Sequence, residues 1–155
     1  MLEKLFDPKS IAIIGASRKE GKVGHSVLKN LFQYGYKGSI YPVNPKAEEI
    51  LGIQTYPTIS AVPGDIDLAV VAVPSESVPS ILKDCVEKRV GSVIIISAGF
   101  KESGKQGSGR ERELTEIIKG SRIRVLGPNC LGVINTASNL NASFAAGMPT
   151  RGNIA

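Results

Sequence analysis

The chain has 155 residues, of which 42% are hydrophobic, so it is long enough to bury one core of ordinary size and too short to suggest two. Its formal charge of +5 comes from basic residues scattered among acids, and aromatic residues make up 5%, which argues against a nucleic-acid surface and favours a small phosphate-bearing ligand. The N-terminus has no signal-peptide pattern and no apolar run approaches the roughly 20 residues of a membrane helix, so we expect a soluble cytoplasmic protein without a membrane partner.

Four apolar runs rich in β-branched residues predict strands buried on both faces, and a fifth strand is predicted after them. They cover residues 10–16, 39–43, 68–74, 92–99 and 122–128. Apolar residues at helical spacing lie between them, first around Val27 to Phe32, then around Val78 to Val86, and more weakly from Leu114 to Ile118. This alternation predicts an α/β fold: a Rossmann-like, doubly wound parallel sheet in three α/β/α layers. In such sheets the ligand lies beyond the carboxyl ends of the strands, so the residues after each strand are the informative ones.

The first strand is followed by a glycine-containing loop, Gly15 to Gly24, and then by a helix expected to begin near His25. Glycines allow a tight turn, and the free N–H groups of a helix start favour an anion, so the loop is a candidate phosphate site. Its glycine spacing does not match G-x-G-x-x-G, and Gly21-Lys22-Val23 lacks the Ser or Thr of a P-loop. The alternative is an ordinary strand-to-helix turn.

The second strand ends in Asn44-Pro45-Lys46, where an NAD site usually has an acidic residue for the ribose hydroxyls. An amide and a cation favour a phosphorylated ribose, which both NADP and coenzyme A contain. The alternative is that Lys46 is a solvated surface lysine.

The ends of the last three strands contain small and turn-forming residues, which leave room for a ligand along the sheet edge. They are Val73-Pro74-Ser75, Ser97-Ala98-Gly99-Phe100 and Gly127-Pro128-Asn129-Cys130-Leu131-Gly132. Cys85 and Cys130 have no CxxC or histidine cluster near them, so we expect neither a disulfide nor a metal site.

Several segments together resemble the NDP-forming acyl-CoA synthetases, relatives of the succinyl-CoA synthetase α subunit. The resemblance covers essentially the whole chain, and its most specific segments are YPVNPK, SAGF and GPNCLG. It also includes Phe6-Asp7-Pro8-Lys9-Ser10, IAIIGAS, DLAVVAVP and the final Gly152-Asn153-Ile154-Ala155. The resemblance implies an N-terminal coenzyme A-binding domain of an acetate–CoA ligase (ADP-forming), with a core over about residues 6–136 and a connection over 137–155 toward a second domain.

The resemblance also implies the residues that contact coenzyme A. The nucleotide phosphates would lie against Gly15, Ser17, Gly21, Lys22 and Val23, and the lysine after the second strand corresponds to Lys46. The pantetheine arm would be flanked by Pro74, Ser97, Ala98 and Gly99, with Asn129 and Cys130 near its thiol.

No residue of this chain is predicted to be catalytic. Such synthetases interconvert acyl-CoA, ADP and phosphate with acid, CoA and ATP through a phosphorylated histidine in a later domain, so ATP, ADP and Mg²⁺ would act only there. We expect His25 to be a half-exposed residue of the first helical turn, with a direct phosphate contact as the alternative. We expect Cys130 to be a buried small hydrophobe rather than a nucleophile. The partners of this chain would be the other domains or subunits of an oligomeric ligase.

Three other functions stay open from the sequence. They are a free-standing coenzyme A-binding regulatory protein, an NAD(P)-binding domain of an oxidoreductase or redox sensor, and a coenzyme A module attached to an acetyltransferase. Asn44, Lys46 and the missing G-x-G-x-x-G argue against the second. Residues 141–155 contain the turn-forming residues Asn141, Gly147, Pro149 and Gly152, so we expect them to contribute little to the fold.

Overall fold

The computed structural model describes residues 2–152, and its centre is a five-stranded parallel sheet. In chain order the strands are β1 (Ser10–Ile14), β2 (Ser39–Val43), β3 (Glu49–Ile50), β4 (Ile53–Gln54), β5 (Leu68–Val71), β6 (Ser92–Ile95), β7 (Arg124–Leu126), β8 (Gly132–Asn135) and β9 (Leu140–Ser143). The central sheet has the order β2-β1-β5-β6-β7, and every neighbouring pair in it is parallel. The five predicted strands and the doubly wound fold are confirmed.

Within residues 2–152 four α-helices accompany the strands, and three of them connect neighbours in the sheet. They are α1 (Glu3–Phe6), α2 (Val23–Gln33), α3 (Val78–Glu87) and α4 (Lys105–Ile118). Helix α2 begins two residues before the predicted start, and it buries Val27, Leu28 and Leu31 because they share one face.

Alternate residues of each central strand face opposite sides of the sheet and build two cores. Ala12 and Ile14 of β1 pack with α3 and α4, in a cluster that includes Val78, Leu82 and Leu114. Ile11 and Ile13 face the other side, where α2 and the β8–β9 hairpin cover them. Strand β2 lies at the edge of the sheet, so the prediction that it is buried on both faces is wrong for Ile40 and Tyr41, which are partly exposed.

The antiparallel hairpin β8–β9 covers one face of the sheet beside α2, and neither of its strands was predicted. All four residues of β9 are buried, and the Asn30 side chain on α2 donates hydrogen bonds to the carbonyls of Ser143 (2.8 Å) and Ala145 (2.9 Å). The prediction that residues 141–155 contribute little to the fold is therefore wrong for residues 141–145. Its basis was the turn-forming composition, whereas tertiary packing decides whether such a segment is ordered. The predicted resemblance at Asn153 to Ala155 lies outside the described residues.

None of the helices in residues 2–152 is both long enough and apolar enough to cross a membrane. Within the same residues, no group of three or more His, Cys, Asp or Glu side chains is arranged to hold a metal ion.

Candidate functional site at the carboxyl edge of the sheet

Two cavities open at the carboxyl ends of the central strands and meet at Val73, just after β5. The first, the lysine cavity, has a volume of about 490 Å³. It is lined by Ile14, Gly15, Val43, Asn44, Pro45, Lys46, Pro57, Thr58, Ile59, Val73, Pro74, Ser77, Ile81 and Asp84. The second, the charge-free cavity, has a volume of about 470 Å³. It is lined by Val23, Ala72, Val73, Ile96, Ser97, Ala98, Asn129, Cys130, Leu131 and Phe144.

The loop after β1 is fixed by a close approach of backbone to backbone. Gly15 has a φ of +92°, and a Cβ there would collide with the Ala72 carbonyl after β5. Gly24 in the first turn of α2 faces the Gly15 carbonyl so closely that no side chain fits. The start of α2 is thereby held against the end of β1, with its free N–H groups at the sheet edge.

His25 supports this loop from the inside. Its side chain is 5% exposed, and Nδ1 lies 2.9 Å from the Ser17 carbonyl, to which it donates as the Nδ1–H tautomer. The prediction that His25 is half-exposed is wrong, because the helix packs its first turn against the sheet. Ser17 itself accepts a hydrogen bond from the Lys19 N–H at Oγ (3.1 Å).

Asn44 joins the ends of β1 and β2. Its Nδ2 donates to the Ala16 carbonyl at 2.7 Å, while its Oδ1 accepts from the Lys46 N–H at 2.8 Å. Both functional atoms of the amide therefore have partners in the protein. Lys46 is exposed at the mouth of the lysine cavity, and a carboxylate, Asp84, lines the same cavity.

Hydrogen bonds to the side chain and the backbone of Ser97 join the ends of β5, β6 and β7. The Val73 N–H donates to Ser97 Oγ (3.2 Å), and the Asn129 N–H donates to the Ser97 carbonyl (3.0 Å). Glu102 accepts hydrogen bonds from the N–H groups of Gly99 (2.7 Å) and Phe100 (3.1 Å), and these bonds lower the pKa of its carboxyl. Ser97, buried at the centre, thus fixes the spacing of three strand ends.

Cys130 lines the charge-free cavity with its side chain half-buried. Its Sγ donates to the Ile95 carbonyl at 3.4 Å, and burial raises the pKa of the thiol. A neutral thiol bonded to the backbone is a poor nucleophile. The prediction that Cys130 is buried is wrong, because its side chain is half-buried at the cavity wall. Cys85 is fully buried on α3, where burial raises its pKa to about 12.

The structure brings the predicted site residues to one edge but divides them between the two cavities. Gly15, Lys46 and Pro74 line the lysine cavity. Val23, Ser97, Ala98, Asn129 and Cys130 line the charge-free cavity. Ser17, Gly21, Lys22 and Gly99 lie in the adjoining loops and line neither.

Sequence reasoning missed four residues at this edge: Glu76, Glu102, Arg110 and Phe144. The Arg110 guanidinium donates to the Gly99 carbonyl and pairs with Glu76 at 3.3 Å, while Phe144 forms a wall of the charge-free cavity. Only Glu102 has a local signal, since an acid three residues after a glycine turn often caps its N–H groups. The other three reach the site through tertiary contacts, which the sequence pattern does not encode.

Comparison with known proteins agrees with this architecture. The family model described as a CoA binding domain matches residues 9–136. The chain is 46% identical over 154 residues to the ADP-forming acetate–CoA ligase I of Archaeoglobus fulgidus, covering 99% of this chain and 22% of that protein. It is 44% identical over 155 residues to the α subunit of the ADP-forming acetate–CoA ligase II of Pyrococcus furiosus, covering 34% of that subunit.

A solved structure with a similar fold is the dinucleotide-forming acetyl-coenzyme A synthetase 1 of Ca. Korarchaeum cryptofilum in complex with phosphate and ADP. It superimposes with a TM-score of 0.88 at 42% identity, over 93% of this chain and 31% of that one. The chain thus spans between 22% and 34% of the length of these relatives. By the extent of these matches, the chain belongs to the CoA binding domain family and is homologous to a segment of ADP-forming acetate–CoA ligases.

Proposed function

We propose that this chain binds coenzyme A across both cavities, with the nucleotide in the lysine cavity and the pantetheine arm in the charge-free cavity. The observation that carries the proposal is that charged side chains, Lys46 and Asp84, line one of two adjoining cavities at the sheet edge, whereas no charged side chain lines the other. Coenzyme A has the same asymmetry, because its phosphates are all at the nucleotide end and its arm is uncharged.

The contacts of the nucleotide follow from the loop geometry. The diphosphate would lie at the start of α2, where the N–H groups of the first turn and the exposed Lys22 favour an anion. Lys46 at the mouth of the lysine cavity would bind the phosphorylated ribose. The twelve residues predicted from the sequence are therefore proposed as the coenzyme A site. Their roles are those implied by the resemblance, except that Val23 would contact the arm, because it lines the charge-free cavity, and Pro74 would contact the nucleotide, because it lines the lysine cavity.

The dinucleotide NAD fits this edge less well. The hydroxyls of its ribose need a hydrogen-bond acceptor after β2. The Asn44 side chain already forms hydrogen bonds with the backbone of Ala16 and Lys46, and Lys46 itself is a cation rather than an acceptor. Asp84 lines the lysine cavity from α3 rather than from the end of β2, the usual position of that acceptor.

The relatives suggest the enzyme to which this site contributes. We infer that it holds coenzyme A for an ADP-forming acyl-CoA ligase in the cytoplasm, together with further domains or subunits of an oligomeric enzyme. The residues of the described edge include no activated nucleophile or phosphoryl carrier, since the Cys130 thiol is neutral and His25 is bonded to the loop backbone. The 155-residue chain alone is therefore proposed to bind without catalysing.

Calorimetry on the 155-residue chain with coenzyme A, NAD and NADP tests the binding. We expect coenzyme A to bind more tightly than either dinucleotide, and tighter binding of NAD would refute the proposal. A parallel assay with acetate, ATP and coenzyme A should yield no acyl-CoA. Formation of acyl-CoA by this chain alone would contradict its non-catalytic role while leaving the binding proposal intact.

A further inference from the structure

Arg110 on α4 connects two of the strand ends that border the site. Its side chain is 18% exposed, and its guanidinium donates to the Gly99 carbonyl after β6 while pairing with Glu76 Oε1 at 3.3 Å. Glu76 lies in the turn that follows β5, where Ser75 Oγ also donates to it at 3.2 Å. The guanidinium therefore bridges the segments after two adjacent parallel strands.

Gly99 is held on both sides of its α-carbon. Its carbonyl accepts from Arg110, and its N–H donates to Glu102 at 2.7 Å. Its φ is +106°, and a Cβ at this position would collide with the Ser75 side chain. Two charged side chains thus fix one peptide segment that directly follows Ser97 and Ala98 of the charge-free cavity.

We propose that Arg110 is a positioning residue for coenzyme A, which sets the separation of the β5 and β6 ends between which the pantetheine arm lies. The inference rests on the proposed function and adds to it a residue that need not touch the ligand. Arginine suits this role because its planar fork reaches two acceptors at once, whereas a lysine ammonium is a point charge on a flexible stem.

An ion pair between α3 and α4 that lies away from the strand ends provides a control. Lys83 on α3 and Glu113 on α4 are 3.4 Å apart, and their side chains are 57% and 48% exposed. Neither residue lines a cavity of the sheet edge. Removal of this pair changes the α3–α4 surface but leaves the strand ends untouched.

The test compares Arg110→Ala with Lys83→Ala by calorimetry against two ligands. One is coenzyme A, and the other is 3′-phosphoadenosine 5′-diphosphate, which contains its nucleotide without the pantetheine arm. We expect Arg110→Ala to weaken coenzyme A binding by about tenfold, as is typical when a charged hydrogen-bond partner is removed, and to leave the affinity for the nucleotide unchanged. Lys83→Ala should bind both ligands like the unchanged chain.

If Arg110→Ala lowered the affinity for both ligands equally, or for neither, the positioning role would be overturned. A purely structural residue does not discriminate between the two ligands. Arg110→Lys and Glu76→Gln keep the test decisive if the alanine variant does not fold. Each removes one part of the bridge, so each should weaken coenzyme A binding by less than tenfold and spare the nucleotide. Failure of the unchanged chain to bind either ligand would refute the proposed function itself.

Discussion

The two cavities at the carboxyl edge differ in how they are built. The lysine cavity takes its cation from the loop after β2, where Asn44 Oδ1 accepts from the N–H of Lys46 two residues later. The rest of its lining, including Asp84 on α3, comes from other segments. The charge-free cavity is assembled from distant segments, since Val23, Ser97, Cys130 and Phe144 come from four separate elements or loops. A local run of sequence thus supplies recognition of charge, whereas tertiary packing supplies the shape that receives the uncharged arm.

This difference predicts how each cavity responds to change. A substitution of Lys46 in the lysine cavity removes one contact and leaves the fold intact, because this side chain is exposed. A change in the walls of the charge-free cavity affects folding as well, because β9 and the Asn30 hydrogen bonds belong to the core. The predictions below separate the two responses.

Truncation after Asn141 should have the largest effect, since it removes buried residues of β9 and the Phe144 wall. It also removes the Ser143 and Ala145 carbonyls that accept from Asn30. Loss of a buried amide's partners together with packing costs about 3 kcal/mol, which lowers the melting temperature of a chain of this size by more than about 5 °C. Thermal unfolding followed by circular dichroism measures the shift.

Truncation after Met148 is the control for this experiment. It retains β9 and the Gly147 carbonyl, which accepts a hydrogen bond from Asn141 Nδ2 at 2.9 Å. Its melting temperature should remain within about 2 °C of the full chain, because surface segments away from such contacts change stability by about 0.5 kcal/mol or less. Identical melting of both truncations would mean that the hairpin does not stabilise the domain.

Lys46→Ala should weaken coenzyme A binding without changing stability. An ammonium–phosphate contact is a charge-assisted hydrogen bond worth about 1.5 to 3 kcal/mol, so affinity should fall by roughly ten- to a hundredfold. Dephospho-coenzyme A lacks the ribose phosphate, and its affinity should barely change. The unchanged chain should also bind coenzyme A less tightly as salt rises, since an exposed charge pair is screened.

The two ligands of this experiment act as each other's control. Equal weakening of coenzyme A and dephospho-coenzyme A by Lys46→Ala would mean that Lys46 contacts the diphosphate or supports the loop. The ribose phosphate would then have to be bound by another basic residue, and Lys22 is the next in line because it is exposed at the start of α2.

The features that the sequence predicts well are those with a local sequence signal, whereas features that depend on tertiary contacts are missed. The central strands and the Gly15 loop carry local signals, namely apolar β-branched runs and glycines, and the structure has them where they were expected. Strand β9 was missed because Asn139 and Asn141 suggest a turn, while the burial that orders it comes from α2, over a hundred residues earlier. Arg110 was missed for the same reason, since its partners lie on other elements.

Chemical modification of Cys130 is expected to have the smallest effect, and it reports on where the ligand's arm lies. Burial raises the pKa of the Cys130 thiol, so less thiolate is present at neutral pH than for a free cysteine, and alkylation by iodoacetamide should be slow at pH 7. The rate should keep rising above the pH at which a free cysteine has reached its maximum, because a raised pKa moves the titration upward. Cys85 is fully buried with a pKa of about 12 and should not react in the folded chain.

Bound ligand should slow this reaction if its arm enters the charge-free cavity, which Cys130 lines. Desulfo-coenzyme A is the ligand of choice, because it lacks the thiol that would otherwise consume the reagent. At saturating desulfo-coenzyme A the alkylation rate should fall in proportion to the fraction of chain left without ligand. The nucleotide without the arm should leave the alkylation rate unchanged, because this ligand would fill the lysine cavity alone. Mass spectrometry with Cys130→Ser as the blank assigns the modified site. Undiminished alkylation under saturating desulfo-coenzyme A would mean that the arm follows another path along the sheet edge, and the division between the two cavities would no longer explain how the ligand is oriented.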